Sequence, residues 1–322
     1  MLLYKVILYN RKVYIPAVTT YSMTKQSNKV TICPHCRSKN IKKDGLRNTQ
    51  NRGKIQRYKC LVCSYRFTID DGFWRMKNNE HKVTASMDMY YSGMSLRKIQ
   101  AHLKMFYPKN AHYSNVYRWI VKYASIIGNI TDKFEINSGK ELMSDEMEYH
   151  RLGEQNWFVD TLDTKTRFMV SSDYMKRRTN ENLIGVLKLA KAKTGNTIKI
   201  VTTDALLGYP AILRKSFGLQ NFYNASSRTK SKIIHNVVKA DERGFNHKIE
   251  RLHNTIRDRT KIMRGFHGSL YSAKMVMKGM EIYYNFIRKH QGIDNKTPQE
   301  VAIPTLDLGN NKWLGLIRLS KT

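Results

Sequence analysis

A chain of 322 residues with 57 Lys and Arg against 25 Asp and Glu carries a formal net charge of +32 and a sequence pI near 10.0, far more than solubility requires. With 41% of its residues aliphatic or aromatic it is globular rather than disordered, and no stretch approaches the roughly 20 apolar residues of a membrane span. The positive excess points to a polyanion, and to nucleic acid before an anionic membrane surface, because no segment reads as a basic interfacial helix.

Residues 1–28 read as an N-terminal extension that alternates apolar and polar positions, with short strands expected around Leu2–Leu8 and Lys12–Ile15. Its opening, MLLYKVILYN, is broken by Lys5 and lacks a small-residue cleavage site, so it is not read as a secretory signal. All four cysteines follow in one short region: Cys33-Pro-His-Cys36, then 23 residues, then Cys60-Leu-Val-Cys63. In a cytosolic chain such pairs more often hold metal than form disulfides. Two knuckles of this kind bring four thiolates onto one tetrahedral Zn²⁺, and a site with all four positions filled by Cys is structural. Residues 29–72 are therefore expected to form a zinc ribbon, with turns at Asp44-Gly45 and Arg52-Gly53 and a strand at Gln56–Lys59. His35, inside the first knuckle, is expected to be exposed and not a ligand.

Residues 80–130 change to a helical period. One helix is expected over Thr84–Ser92, ending at Gly93, and a second over Leu96–Leu103, capped by Ser95. A third, Asn115–Ala124, is expected to be capped by Ser114, with Val116, Trp119, Ile120 and Tyr123 inward. Asn115, Arg118 and Lys122 then point outward at i, i+3 and i+7, the arrangement of a helix-turn-helix recognition helix that reads DNA. The connection between the last two helices is longer than the usual turn, and a generic three-helix bundle is the competing reading. Residues 24–124 hold 21 Lys and Arg against 5 Asp and Glu, half of the whole excess charge in under a third of the chain. A ribbon for phosphate contacts and a helix for base contacts would suit such a module.

From Glu135 the pattern becomes strand, strand, strand, helix, strand, helices. Strands are expected at Leu142–Tyr149, Asn156–Leu162 and Arg167–Tyr174, the last two joined by the turn Asp163–Thr166. A helix over Asn180–Lys193 leads to the β-branched strand Thr197–Thr203, which ends in Asp204. A helix at Tyr209–Lys215 and a basic polar stretch to Lys239 precede a helical segment, Phe245–Gly265. There Ile249, Leu252, Ile256 and Met263 make one apolar stripe, and Asn246, Glu250, His253, Asn254 and Arg257 a polar one beside it. Asp145 on the first strand, Asp204 after the fourth and Glu250 on the late helix stand out. Adjacent strands would place the two aspartates side by side, and oxygen ligands of this type suit two Mg²⁺ ions roughly 3.5–4 Å apart in phosphodiester chemistry. Asp160, Asp163 and Asp173 read as sheet or turn residues, Glu146 is expected on the opposite strand face from Asp145, and His253 and His290 read as solvated or satisfied by the fold rather than as DNA contacts.

The segment 135–304 resembles the catalytic domain of prokaryotic insertion-sequence DDE transposases, an RNase H-like fold shared with retroviral integrases. The resemblance rests on Asp145-Glu146 after Leu142-Met143, on Thr203-Asp204 before Tyr209-Pro210, and on Asn246-His-Lys-Ile-Glu250-Arg-Leu-His253 leading to Arg257 and Arg264-Gly265-Phe266. It also rests on Tyr284-Asn285-Phe286-Ile287-Arg288-Lys-His290 before Lys296-Thr297-Pro298. It implies that Asp145, Asp204 and Glu250 ligate two Mg²⁺ or Mn²⁺ ions, and that Asn246 and Arg257 orient or contact DNA. It implies a chain that binds the terminal inverted repeats of a mobile element, cleaves a strand and joins the 3′-hydroxyl to target DNA. Such a chain would act as a homodimer or larger assembly, in the cytoplasm with the nucleoid. The 45 residues between Asp204 and Glu250 exceed the compact spacing of the motif. Glu242 is the alternative third ligand, and Ser226–Lys239 would be a DNA-contacting insertion. The expected architecture is multi-domain: a small zinc ribbon, an all-α helix-turn-helix and an α/β RNase H-like domain with a mixed sheet, followed by a tail at 305–322. A nuclease that hydrolyses without joining, and a catalytically inactive DNA binder, are the alternative functions.

Overall fold

The computed structural model describes residues 32–49, 52–74, 76–109, 111–195, 197–218, 233–238 and 247–321. The strands expected at Leu2–Leu8 and Lys12–Ile15, together with Asn246 and Glu242, lie outside the described residues.

The ribbon is a three-stranded antiparallel sheet of β1 (Ile41–Thr49), β2 (Gly53–Cys60) and β3 (Arg66–Phe67). Only one of its two expected turns exists. Asp44-Gly45 lies inside β1, where the register slips between Lys43 and Leu46 and Gly45 takes φ +73°. The Asp44 carboxylate explains the difference. Its Oδ2 meets Arg57 Nε at 3.1 Å and Arg66 Nε at 3.0 Å, so it is held against the neighbouring strands instead of leaving them.

Three helices follow: α1 (Glu80–Tyr91), α2 (Leu96–Phe106) and α3 (Tyr113–Thr131). The first starts four residues earlier than its apolar period indicates, because Asn79 caps it by accepting from the His81 N–H at 2.7 Å. Ser95 caps α2 as expected. Ser114 does not cap α3; His112 does, its Nδ1 accepting from the Ser114 N–H at 3.3 Å. The extra length of α3 beyond Ala124 has a packing cause. Its second half, with Ile127 and Gly128, leaves the three-helix unit and lies on the later helix α7 (Leu270–Ile282). Tyr91 of α1 reaches the same helix and donates to the Val276 carbonyl at 3.2 Å. Gly279 of α7 faces the Tyr91 ring so closely that a Cβ there would stand 1.7 Å from its hydroxyl. The helical unit and the sheet behind it therefore share one continuous core.

That sheet is mixed. Its strands β4 (Glu141–Glu148), β5 (Trp157–Asp163), β6 (Met169–Met175), β7 (Ile200–Thr203) and β8 (Ile234–Val237) lie in the order β6-β5-β4-β7-β8. The first three pair antiparallel, while β4, β7 and β8 run parallel. The strand β8 corrects the reading of Ser226–Lys239 as an insertion only, since Ile234–Val237 adds residue for residue to Ile200–Thr203. The β5–β6 hairpin turns on Asp163. Its buried Oδ2 accepts from the Thr166 N–H at 2.9 Å, and its Oδ1 from the Gly139 N–H at 2.9 Å. Helices α4 (Asn180–Thr194) and α5 (Tyr209–Phe217) pack together, and the Ser171 hydroxyl donates to Val186 of α4. On the other face lie α6 (His247–Thr260) and α7.

After α7 a π-helical turn, Tyr283–Ile287, carries Asn285 to the free edge of β6. The Asn285 side-chain amide accepts from the Met169 N–H and donates to the Met169 carbonyl, both at 2.8 Å. Tyr284 and Phe286 are buried core. A short helix α8 (Pro298–Ala302) carries a capping box between Thr297 and Glu300. The tail then forms α9 (Lys312–Leu319), whose Trp313, Leu314 and Leu316 are buried. Trp313 Nε1 donates to Asp88 at 3.3 Å and Arg318 pairs with Glu80 at 2.9 Å, so the tail is clasped to α1. No described helix is long and apolar enough to cross a membrane.

Candidate metal centres and the surrounding charges

The parallel pairing of β4 and β7 builds the acidic centre. Leu142 and Met143 stand opposite Val201 and Thr202; carrying that register two residues further brings Asp204 level with Asp145. There β7 has ended, and Asp204 lies in a loop whose Leu206 N–H donates to its Oδ1 at 3.1 Å. The two aspartates are thus brought together as expected. Glu146 joins them: one oxygen of each of Asp145, Glu146 and Asp204 lies within 4.8 Å of the others. Strand alternation does send Glu146 away from Asp145, but its longer side chain is anchored by Tyr209. The Tyr209 hydroxyl donates to Glu146 Oε1 at 2.9 Å. Glu146 therefore faces the way expected, and through this contact still brings an oxygen to the two aspartates. Burial, against the Tyr209 hydrogen bond, pushes the Glu146 carboxyl up to about 7, and the charges of Asp204 and Asp145 add to the rise. Burial likewise raises Asp145, with His253 opposing.

Glu250 is on the exposed side of the first turn of α6 and is not among the three grouped oxygens. The helix is seated by Ile249, Leu252 and Ile256, all at most 1% exposed, each worth about 1.5–3 kcal/mol of burial. Asn254 and Arg257 share the exposed face with Glu250, and Arg257 Nη1 donates to Asn254 at 3.4 Å. His253 does not share it. It is 2% exposed on the inner face, its Nε2 donating to Asp160 Oδ2 at 2.9 Å and its Nδ1 standing 3.6 Å from Asp145 Oδ2. Since residues three apart on a helix are neighbours, Glu250 stands one turn from a histidine that touches the acidic centre.

Asp160 is the group that sequence reasoning passed over. It sits directly across from Asp145 in the β4–β5 register and is fully buried; its Oδ2 takes the His253 hydrogen bond while its Oδ1 has no partner. Burial disfavours charge on His253, but Asp160 and then Asp145 outweigh it and lift the imidazole above its usual value. The row Asp145, Asp160, Ser172 and Glu281 continues across the sheet, Ser172 donating to Glu281 Oε2 at 2.6 Å. Lys278 neutralises Glu281 at 2.8 Å. Nothing in the spacing of the sequence marks Asp160 as Asp145's cross-strand partner; only the hairpin register does. His290 is satisfied locally by the Tyr284 carbonyl at 3.1 Å, and Asp173 by Lys274 at 2.8 Å.

The second centre is the cysteine cluster. Cys33 and Cys63 sulfurs lie 3.6 Å apart and those of Cys36 and Cys60 3.5 Å, and all four fall within 4.8 Å of one another. Four thiolates about 2.3 Å from a tetrahedral Zn²⁺ would have edges of roughly 3.8 Å, so the donor set fits that ion. The Cys60 thiol is lowered to about 6, first by the Cys63 backbone N–H on its sulfur. His35 is exposed, as expected. On α3, Arg118 and Lys122 are exposed and Asn115 is half-buried, its Oδ1 accepting from Arg118 at 3.1 Å; the three form an outward row.

No protein-family model matches the chain. Among curated proteins it is similar to the transposase for insertion sequence-like element IS431mec of Staphylococcus aureus, at 23% identity over 184 residues, 56% of this chain and 73% of the relative. The same figures hold for the transposase of insertion sequence element IS257 in transposon Tn4003 of Staphylococcus aureus. Among solved structures, the HTLV-2 integrase catalytic core domain in complex with magnesium overlaps 51% of this chain and 96% of its own, with a TM-score of 0.36 and 13% identity. A chain of the simian T-cell lymphotropic virus intasome, in complex with PP2A regulatory subunit B56 gamma, overlaps 51% of this chain at a TM-score of 0.37 and 12% identity; there this chain spans about half, 54%, of the other's length. The resemblance to insertion-sequence transposases thus holds in the curated relatives, at low identity.

Proposed function

We propose that the chain is a DNA transposase, a metal-dependent polynucleotidyl transferase that binds the ends of a mobile element, cleaves a strand and joins it to target DNA. One observation carries the proposal: Asp145 on β4 and Asp204, just past the end of its parallel neighbour β7, present carboxylate oxygens within 4.8 Å of each other. In this reading Asp145 and Asp204 hold two Mg²⁺ or Mn²⁺ ions, Glu250 closes over them from α6, and Glu146 is a further oxygen donor. Ions held there would supply Lewis-acid stabilisation of the phosphodiester and a deprotonated oxygen nucleophile. His253, braced by Asp160, fixes the Asp145 carboxylate from behind. Arg257, on the Glu250 face, engages a DNA phosphate, and Asn246 four residues before Glu250 orients the strand.

Residues 29–72 and 80–130 dock the element's terminal inverted repeats. Asn115, Arg118 and Lys122 meet the groove, and one Zn²⁺ on Cys33, Cys36, Cys60 and Cys63 holds the ribbon. Residues 135–304 carry the chemistry. Two or more copies pair two ends, in the cytoplasm with the nucleoid. The test is strand joining with labelled element ends and Mg²⁺. The intact chain should give joined product, and Asp204→Asn should abolish joining while keeping DNA binding. Hydrolysis without joined product would replace this reading with that of a nuclease, and binding without either would leave an inactive DNA binder. A Mn²⁺ soak of crystals separates Glu146 from Glu250 as the third ligand.

A further inference from the structure

The ribbon's two faces are chemically unlike. On one, Asp44 engages Arg57 and Arg66. On the other, four aromatic rings form a ladder with nearly parallel planes: His35 to Tyr65 at 5.5 Å and 22°, Tyr65 to Phe67 at 6.4 Å and 16°, and Phe67 to Tyr58 at 5.9 Å and 27°. Strand geometry makes this a single face. Tyr65 and Phe67 are two residues apart and so point the same way, and Phe67 pairs across the sheet with Tyr58, which pairs with Lys43. Half-buried Phe67 and Tyr58 anchor the ladder. Its outer end is open: Tyr65 is 46% exposed, and His35 and Lys43 are exposed.

A small ribbon needs some aromatic packing of its own, which accounts for Phe67 and Tyr58. It does not account for an exposed tyrosine and histidine stacked on each other. Residues 32–74 carry ten Lys and Arg against three acidic residues, so the surroundings of the ladder favour a polyanion. Flat rings beside a cation match unpaired bases on a phosphate backbone, because every base has a face to stack and every link a charge to neutralise. A duplex hides its base faces and offers this ladder nothing beyond phosphates.

We propose that the aromatic face of the ribbon, led by Tyr65 and His35, binds single-stranded DNA by stacking unpaired bases onto the ladder. This goes beyond the assignment of phosphate contacts to the ribbon and does not depend on catalysis at the carboxylates. The probe is a fluorescein-labelled 15-nucleotide oligothymidylate, compared by anisotropy with an abasic strand of equal length and charge. The full chain is used without Mg²⁺ at about 0.15 M salt. Oligothymidylate should bind at least about 5-fold more tightly than the abasic strand, the scale of one stacked base. Tyr65→Ala should remove that preference while leaving abasic binding and bound zinc unchanged, and Tyr65→Trp should retain it. Equal affinity of the intact chain for both strands would overturn the proposal. So would a Tyr65→Ala chain that keeps the preference, or one that loses affinity for both strands alike. If Tyr65→Ala changed only the self-association of the chain, the ladder would be a protein interface and the proposal would fail.

Discussion

The ribbon and the mixed sheet solve the problem of holding strands together in opposite ways. In the strands and knuckles of the ribbon, among the described residues, only Cys33 and Cys60 are buried, and Leu46, Leu61, Val62 and Tyr65 are exposed. Such a unit buries too little to fold by packing, so four sulfurs must do the work of a core. The sheet buries Leu142, Phe158, Leu162, Val201 and their neighbours completely, and its polar residues are paired in rows. In the ribbon four sulfurs gather where a core would be; the sheet is packed throughout and brings Asp145 and Asp204 together beside the end of β7.

Four perturbations would break or sharpen that contrast. The largest is Cys60→Ser, or chelation of zinc. Structural zinc in small modules contributes on the order of 10 kcal/mol, so the ribbon should lose its fold and become protease-sensitive while the sheet and helices keep their thermal transition. Loss of both together would show that the regions are not independent in this way. Next is Gly279→Ala, which drives a methyl group into the Tyr91 hydroxyl and should cost roughly 1–3 kcal/mol. The thermal midpoint should fall with zinc content unchanged; an unaltered midpoint would mean that α1 and α7 are not tightly apposed in solution.

A comparable effect is expected at Glu146. Its folded pKa, about 7, lies above the ordinary 4.5, so the folded chain holds this proton more tightly than the unfolded one. The associated stability is complete below about pH 4.5 and is lost as pH rises towards 7. In metal-free solution Glu146→Gln should remove that part of the decline, gaining roughly 1–3 kcal/mol relative to the parent at pH 8. Urea denaturation at pH 5 and pH 8 reads the difference, and parallel pH slopes for the two chains would sink the assignment. The smallest effect is Arg257→Ala. Exposed on the Glu250 face, it should weaken DNA binding a few-fold and reduce the salt dependence by about one counterion, with no change in stability. An unchanged salt slope would remove Arg257 from the DNA contacts.

What the sequence made legible follows the same division. The cysteine spacing names its own geometry, and the aspartates at Asp145 and Asp204 were visible because each ends or interrupts an apolar strand. Adjacent parallel strands then leave little freedom in where the two carboxylates go. The partnership of Asp160 with His253 was not visible, because it depends on which residue of β5 faces Asp145, a register set by the β4–β5 connection, where the Tyr149 N–H donates to the Asn156 carbonyl and Arg151 pairs with Glu154. That Glu146 reaches the aspartates was not visible because alternation gives the direction of a side chain but not its reach. β8 was missed because a polar, basic surrounding hides Ile234–Val237, whose strand identity comes from pairing with Ile200–Thr203. His112 displaced Ser114 as the cap because both carry an acceptor, and the two positions, two residues apart, are not distinguished by the apolar period.

Asn285 has a consequence for assembly. Its amide carries the same donor and acceptor as a peptide unit and is spent on Met169 at the outer side of β6. The strand there is offered a counterfeit neighbour one residue long, too short to be extended and fully buried against competition. At that point the sheet is terminated from within, and a second copy or a peptide cannot add to it by strand pairing without first displacing a side chain. Copies of the chain can therefore be brought close along the β6 side without their sheets fusing at that point.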